Sequence, residues 1–201
     1  MGFLTGKTAI ITGGGRAVLS DGSCGSIGYG IATAYAKEGA NLVLTGRNVQ
    51  KLEDAKAELE SKYGIKVLAV QADVNAGADN ESVVKNVVEQ AVKEFGRIDV
   101  LINNAQASAS GVTIADHTTA QFDLAIYSGL YAAFYYMQAC YPYLKETKGS
   151  VRCRPLWKLR TVRICGSEGR HQGPYKSCSY RVGSRWNKCQ YSMSSRMDIS
   201  A

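Results

Sequence analysis

Short apolar runs alternate with amphipathic stretches along the first 150 residues of this 201-residue chain. The run KTAIITG at residues 7–13 predicts a strand, and apolar residues at helical spacing after a glycine-rich loop predict a helix over residues 26–40. The same pair recurs as the strand NLVLTGR, residues 41–47, and a helix over residues 49–64 that has Asn48 as its expected N-cap.

The alternation continues in the following residues. KVLAVQAD and IDVLINNA predict two further strands, and apolar residues at helical spacing between positions 83 and 95 predict the amphipathic helix that joins them. Thr118 and Gln121 predict a capping box ahead of a last helix over residues 122–144. Strands that alternate with helices need crossover connections, so we expect an α/β fold of the Rossmann type, a doubly wound parallel sheet formed by residues 1–150.

The last 51 residues differ from the rest in charge. They carry 11 Lys and Arg against 2 Asp and Glu, whereas residues 1–150 carry 13 against 15, so the tail accounts for the formal net charge of +7. The tail also shows no hydrophobic period of a strand or a helix over any useful length. We therefore expect the sheet to be truncated after about strand five, and residues 151–201 to be a non-native, disordered basic tail.

Several classes of site and partner are not indicated. Four of the six cysteines lie in the tail, no CxxC pair occurs and the chain has two histidines, so we expect no metal site. No apolar run reaches the roughly 18 residues that would span a bilayer and no signal peptide opens the chain, so we expect a cytoplasmic protein without a membrane partner. The basic residues of the tail form no stripe and match no nucleic-acid motif, so we do not expect a nucleic-acid partner.

A short motif follows each of the first four predicted strands. The motifs are TGGG with SIGYGIA, then TGR, then ADV and finally NNA. A glycine-rich turn such as the first one brings backbone N–H groups and a helix N-terminus against a phosphate. With these segments in this order, residues 7–151 resemble the short-chain dehydrogenase/reductases, and the long glycine loop is similar to that of the enoyl reductase branch and of certain bacterial hydroxysteroid dehydrogenases.

The resemblance implies an NAD(P) cofactor, hydride transfer between its nicotinamide and a secondary alcohol or ketone, and a family dimer or tetramer. It also implies that the residues at these strand ends bind the cofactor. They are Gly13, Gly15, Ser26, Ile27 and Gly28 at the pyrophosphate, Asp73 and Val74 at the adenine, and Asn103, Asn104 and Ala105 beside the nicotinamide ribose. For Asn103 and Asn104 the alternative role is to cap the end of the strand.

Arg47 follows Gly46, at the place where NAD-preferring members of the family tend to carry a carboxylate for the ribose 2′-hydroxyl. A guanidinium suits a 2′-phosphate because it can bind the dianion with two parallel hydrogen bonds. We therefore favour NADP over NAD as the cofactor. The alternative is that Arg47 is a solvated surface residue.

Three departures from the family pattern stand out. The glycine loop contains an extra run, RAVLSDGSCG, from Arg16 to Gly25, for which the sequence indicates no role. Gln106 follows NNA where the family usually has glycine. Gly129 stands where the family has its catalytic asparagine.

The catalytic residues of the family are missing after the expected fifth strand. The family uses a Tyr, a Lys four residues later that lowers the pKa of the phenol, and a Ser thirteen residues before the Tyr. The corresponding positions are Val151, Ile164 and Glu168, so we predict no catalytic residues and no dehydrogenase activity in this chain. The Y-x-x-x-K at residues 141–145 precedes the fifth strand, and a proline is expected to interrupt it.

A reading of the tail one nucleotide out of register restores the family pattern. From Thr161 onward, permitted codons then give QCAYAAAKEGIRGLTRVAATEWG, with Tyr at position 164, Lys at position 168 and Ser permitted at position 151. We interpret the tail as frameshifted sequence, from a mutation, a mis-spliced gene model or a sequencing error.

The alternative function is a non-catalytic nucleotide- or nucleic-acid-binding protein that uses the basic tail.

The loss of the later elements has consequences for folding. The strand IDVLINNA should become an open apolar edge, and exposed edges invite intermolecular pairing. We therefore expect residues 1–150 to be poorly soluble or partly molten when expressed alone, to bind NADP(H) weakly or not at all, and not to form the dimer or tetramer of the family.

Overall fold

The computed structural model describes residues 2–74, 77–109, 111–153 and 178–181. Its strands form one sheet in the order β3-β2-β1-β4-β5-β6. The first five strands are parallel, and β6 runs antiparallel to β5. The strand bounds are Thr8–Thr12, Asn41–Gly46, Val67–Gln71, Val100–Asn103, Ser150–Cys153 and Cys178–Arg181 for β1 to β6.

Within the described residues, five α-helices lie between β1 and β5 along the chain. They are α1 (Ile27–Lys37), α2 (Val49–Tyr63), α3 (Asn80–Phe95), α4 (Thr119–Ile126) and α5 (Ala132–Thr147). Successive residues of β1 show why both faces are covered. Ile10 packs in the cluster formed with α3 and α5, whereas Ala9 and Ile11 pack in the cluster formed with α1 and α2. The doubly wound parallel α/β fold predicted from the sequence is thus confirmed.

Two predicted caps are present. The side chain of Asn48 accepts a hydrogen bond from the Lys51 amide at 2.9 Å and begins α2. At α4 the Thr118 hydroxyl accepts from the Gln121 amide and the Gln121 side chain accepts from the Thr118 amide. These polar residues define where the helices start because they satisfy N–H groups that the first turn leaves unpaired.

The last helix of residues 1–150 differs from the prediction of one unbroken helix over residues 122–144. A π-helical turn, Tyr127–Tyr131, separates α4 from α5. Its buried Ser128 hydroxyl makes hydrogen bonds with the backbone of Ala107 and with the Leu124 carbonyl. The expectation that proline interrupts the end of this helix is also wrong, because α5 continues through Pro142 to Thr147.

The expectation of an open edge at β4 is wrong as well. β5 pairs with β4 from the Val100–Ser150 register onward, and β6 lies beside β5. Four residues are too few to show a hydrophobic period, and antiparallel pairing by backbone hydrogen bonds needs none. β5 also straddles the proposed domain boundary between residues 150 and 151.

The turn into β5 shows how this strand is held. The Ser150 amide donates to the Asp99 carbonyl at 2.9 Å, and the Asp99 carboxylate accepts from the Thr8 amide at 2.9 Å and from Arg97. A Cβ at Gly149 would overlap the Asp99 carbonyl group, so only glycine fits here. Asp99 therefore connects the amino ends of β1, β4 and β5.

Two kinds of feature are absent from the described ranges. No helix within these ranges is long and apolar enough to cross a membrane. Among the same residues no group of three or more His, Cys, Asp or Glu side chains could hold a metal ion.

Candidate functional site

A cavity of about 270 Å³ lies at the carboxyl ends of β1 to β4. In an open parallel sheet this is the edge at which ligands bind, because the strand order reverses there and helix N-termini point at the crevice. Here the reversal falls between β1 and β4, which start the two halves of the sheet.

Eight of the eleven residues predicted to bind a cofactor line this cavity. They are Gly13, Ser26, Ile27, Gly28, Arg47, Val74, Asn104 and Ala105. Sequence reasoning missed five others that also line it: Thr45, Gly46, Ala72, Gln106 and Ala107. Thr45, Gly46 and Ala72 belong to the quoted motifs, and Gln106 and Ala107 directly follow NNA. The motifs thus located the cavity, and their remaining and following residues could have completed the set.

Three predicted residues lie outside the lining. Gly15 packs against α2, where an added Cβ would stand 3.2 Å from the Cβ of Lys51. Asp73 is exposed between two lining residues. Asn103 is buried, and its amide group lies 3.5 Å from the Ala133 carbonyl and from the Cys153 sulfur, on the side of α5 and β5.

The N-terminus of α1 reaches the end of β1 at a point where no side chain fits. A Cβ on Gly28 would overlap the carbonyl oxygen of Gly13 and stand 2.6 Å from the side-chain nitrogen of Asn104. Gly13 has φ of +70°, a left-handed conformation that glycine adopts without strain. The first turn of α1 is therefore brought into the cavity by the absence of side chains.

Thr12 fastens the end of β1 to the end of β4. Its hydroxyl accepts hydrogen bonds from the amides of Asn104 and Ala105, each at 2.9 Å. The Asn104 side chain in turn donates to the Thr12 carbonyl at 2.9 Å. These bonds hold the NNA turn against the glycine turn, so the two sides of the cavity keep a fixed spacing.

The donors available for an anion come from α1. The amides of Gly13 and Gly14 both donate to the Thr45 carbonyl, at 2.8 and 3.1 Å, and so are engaged within the sheet. Ser26 caps α1 through the Tyr29 amide, and the first turn contains no acidic residue. The remaining N–H groups of that turn have no partner within the helix, and the helix dipole favours a negative charge in front of them.

Arg47 is the cation of the cavity. Its backbone is fixed, because the Arg47 carbonyl accepts from the Gln71 side chain at 3.1 Å and the preceding Gly46 carbonyl accepts from the Ala72 amide at 3.0 Å. Its side chain is exposed, and no carboxylate within the described ranges forms a salt bridge with it. The guanidinium therefore lies beside the cavity without a competing anion.

Two buried polar side chains hold the far wall. The Asn80 amide group donates to the Val74 carbonyl at 2.7 Å and to the Tyr127 carbonyl at 3.1 Å. The Ser128 hydroxyl accepts from the Ala107 amide at 2.9 Å. The π-helical turn thus supports lining residues of both the third and the fourth strand ends.

The buried Tyr136 phenol and Val151 lack the properties of the family's proton-transfer residues. Burial raises the pKa of the Tyr136 phenol to about 12, which is the opposite of the shift a proton-accepting phenol needs near pH 7. Val151, at the position expected for the serine, is buried in β5 and has no hydroxyl. Ile164 and Glu168 lie outside the described residues.

Comparisons with known proteins agree on the family. The family model described as "short chain dehydrogenase" matches residues 7–151. A 12α-hydroxysteroid dehydrogenase of a Clostridium species is 66% identical over 151 residues, which cover 75% of this chain and 56% of that protein.

Solved structures share the fold. L-sorbose reductase of Gluconobacter frateurii, in complex with NADPH and L-sorbose, superposes with a TM-score of 0.63 at 31% identity over 74% of this chain and 51% of its own. An NAD⁺-bound xylitol dehydrogenase superposes with a TM-score of 0.62 at 26% identity, over 73% of this chain and 51% of its own. The chain therefore spans about half the length of the relatives it matches.

The close approach of α1 to β1 can be tested by substitution. We expect Gly28→Ala to lower the free energy of unfolding by about 3 kcal/mol or more, because the methyl group would displace the Gly13 carbonyl. Gly30→Ala is the matched control, since its Cβ would meet only the Cys24 sulfur at 3.4 Å. Urea denaturation should show Gly30→Ala as stable as the parent or up to about 1 kcal/mol more stable. Equal effects of the two substitutions would contradict the packing described.

The Thr12 connection makes a second prediction. Thr12→Val keeps the shape of the side chain but removes the acceptor of two amides, so we expect a loss of about 2–4 kcal/mol. Thr33→Val is the control, because the Thr33 hydroxyl donates only to the Tyr29 carbonyl of its own helix. This substitution should lower the free energy of unfolding by less than about 1 kcal/mol. Thermal and urea unfolding of both variants measure the difference, and a neutral Thr12→Val would refute the role given to Thr12.

Proposed function

The chain belongs to the short-chain dehydrogenase family, and on that premise we propose that its cavity binds NADP(H) in preference to NAD(H). The observation that carries the proposal is the meeting of the α1 N-terminus and the unpaired Arg47 guanidinium at one cavity. A dinucleotide phosphate has anionic groups for both: a pyrophosphate for the helix and a 2′-phosphate for the guanidinium.

The lining residues fit such a ligand in order along the sheet. Ser26, Ile27 and Gly28, which line the cavity at the N-terminus of α1, are proposed to bind the pyrophosphate. Ala72 and Val74, with Asp73 between them, are proposed to flank the adenine. The Asn104 side-chain oxygen is buried without a hydrogen-bond partner and, with Ala105, is proposed to face the nicotinamide ribose. When bound, the nicotinamide supplies or accepts the hydride.

Three predicted residues keep indirect roles in this proposal. Gly13 and Gly15 shape the turn rather than donate to the phosphates, since the Gly13 amide is engaged with Thr45 and Gly15 packs on α2. Asn103 is proposed to act by holding α5 and β5 behind the ribose side of the cavity, because its amide group is directed to them.

For the substrate of the whole protein we propose a hydroxysteroid or the corresponding ketone. The support is the 66% identity with a 12α-hydroxysteroid dehydrogenase over 151 residues. Binding of the cofactor is proposed for this chain, whereas reduction of the carbonyl is proposed for the protein read in the shifted frame. There a Tyr at position 164 would transfer a proton to the carbonyl oxygen, with a Lys at position 168 lowering the pKa of its phenol.

Cofactor preference provides the first test. We expect Arg47→Gln to weaken NADPH binding by roughly 10- to 100-fold, the range of a hydrogen-bonded charge pair, and to leave NADH binding unchanged. Lys66→Gln, an exposed position in the turn after α2, is the control for the loss of one positive charge. Fluorescence titration or calorimetry of the full chain measures both affinities, and a parallel loss for NADH and NADPH would overturn the role of Arg47.

Turnover provides the second test. We expect the purified 201-residue chain to show no steroid-dependent oxidation of NADPH, because Val151, Ile164 and Glu168 replace the Ser, Tyr and Lys of the family. A version whose reading frame is shifted by one nucleotide from about codon 151 should gain activity. Turnover by the unshifted chain at a rate comparable to the shifted version would refute the proposal, and resequencing of this region with peptide mass analysis would show which frame is made.

A further inference from the structure

The extra run in the glycine loop is a small β-hairpin. Its two sides, residues 17–19 and 23–25, are joined by the hydrogen bonds from the Gly25 amide to the Ala17 carbonyl at 2.7 Å and from the Leu19 amide to the Ser23 carbonyl at 2.9 Å. Between these bonds Val18 and Cys24 form an antiparallel bridge. The run therefore has a defined backbone structure of its own.

The tip of the hairpin is also fixed. The Asp21 carboxylate accepts from both the amide and the hydroxyl of Ser23, at 2.9 and 2.6 Å. Gly22 has φ of +79°, and its amide donates to the Leu19 carbonyl at 3.0 Å. A turn with these contacts resists local opening, provided that its base is held in place.

The base is held on one side by Arg16. The Arg16 amide donates to the Lys51 carbonyl at 2.7 Å, and the Arg16 guanidinium pairs with the Glu58 carboxylate at 2.5 Å. Both partners belong to α2. About 40% of the Arg16 side chain and 35% of the Glu58 side chain are exposed, so water screens this pair less than a fully exposed one.

The pair shares its partly buried position with Tyr29 of α1, which is 4% exposed. Burial, followed by the nearby Glu58 carboxylate, raises the pKa of the Tyr29 phenol to about 12. The Arg16 guanidinium, by its hydrogen bond, lowers the pKa of Glu58, so the pair stays charged at neutral pH. Arg16 thus connects the hairpin to α2.

The other side of the base leads directly into the cavity. The hairpin ends at Gly25, and the next residue, Ser26, caps α1 and lines the cavity. The Cys24 thiol donates to the Ser26 carbonyl at 3.1 Å. The hairpin residues themselves are not part of the lining, so the hairpin borders the phosphate end of the cavity rather than filling it.

We propose that Arg16 is a positioning residue, which holds the hairpin of residues 17–25 against α2 as a fixed border of the cavity and thereby slows dinucleotide release. The part of this proposal that concerns release rests on the proposed function. Arg16 and Arg47 then have separate tasks. Glu58 engages Arg16 and keeps it from the phosphates, whereas no carboxylate of the described residues pairs with Arg47.

The first test measures hydrogen exchange of the full chain without any dinucleotide. We expect Arg16→Gln and Glu58→Gln each to increase exchange at the Leu19 and Gly25 amides roughly fivefold, the effect of losing a partly exposed ion pair. The charge-swapped double variant, Arg16→Glu with Glu58→Arg, should restore exchange to within about twofold of the parent. Rescue by the swapped pair separates a pairwise contact from a general effect of either substitution.

Lys85→Gln is the matched control. Lys85 pairs with Glu81 at 2.6 Å on α3, so this variant also removes one cation from an ion pair, but on a different helix. Its hairpin amides should exchange as in the parent. Unchanged exchange in Arg16→Gln, or an equal increase in the control, would overturn the positioning role.

The second test measures the dissociation rate of NADPH by stopped-flow fluorescence. We expect NADPH to dissociate faster from Arg16→Gln and Glu58→Gln, by a factor similar to the increase in hydrogen exchange. In the charge-swapped variant the dissociation rate should return to that of the parent. Tighter NADPH binding by Glu58→Gln would show that a freed Arg16 binds phosphate, which overturns the proposal. A further outcome is that hydrogen exchange responds as expected while neither the parent nor any variant binds NADPH or NADH. That result would refute the proposed function and the effect on release. It would leave the structural role of the ion pair supported.

Discussion

The site depends on one close approach, in which the first turn of α1 meets the end of β1 with no side chain between them. Gly28 lies against the Gly13 carbonyl and the Asn104 amide, and Thr12 ties the same strand end to the NNA turn. Three segments far apart in the sequence therefore have to be correct together. Because these contacts also set the direction of α1, the helix dipole, the cavity and the covering of the sheet all follow from them.

The fold was predictable where the signal is local. Asn48 and Thr118 mark helix starts because a cap is a contact between near neighbours, and the alternation of apolar strands with amphipathic helices indicates a doubly wound sheet. The π-helical turn was not predictable, because it depends on a contact between Ser128 and the distant Ala107. β6 was missed, and the pairing of β5 with β4 was not expected, because four-residue strands that pair through their backbones leave no hydrophobic period.

The location of the candidate site was predictable from the sequence, but its available hydrogen-bonding groups were not. Motifs at the strand ends locate residues such as Ser26 and Arg47 at the cavity, since the carboxyl ends of parallel strands meet at one edge. They do not show which backbone groups are still available, and the amides of Gly13 and Gly14 prove to be engaged by Thr45. The motifs also do not show that the side chains of Arg16 and Arg47 differ in their ion pairing. Only the position of Glu58 on the next helix shows that one guanidinium is paired and the other is not.

The residues that line the cavity all lie between positions 13 and 107, while Val151 and the positions after it that the family uses for chemistry come later in the chain. Under the proposed function, the residues that hold the nucleotide and those that react with it are therefore encoded by separate stretches of one gene. A change after β5 removes the second without touching a single lining residue of the first. Natural selection can then retain, lose or replace the chemistry independently, and a chain altered in this way would compete with intact enzymes for the same pool of coenzyme.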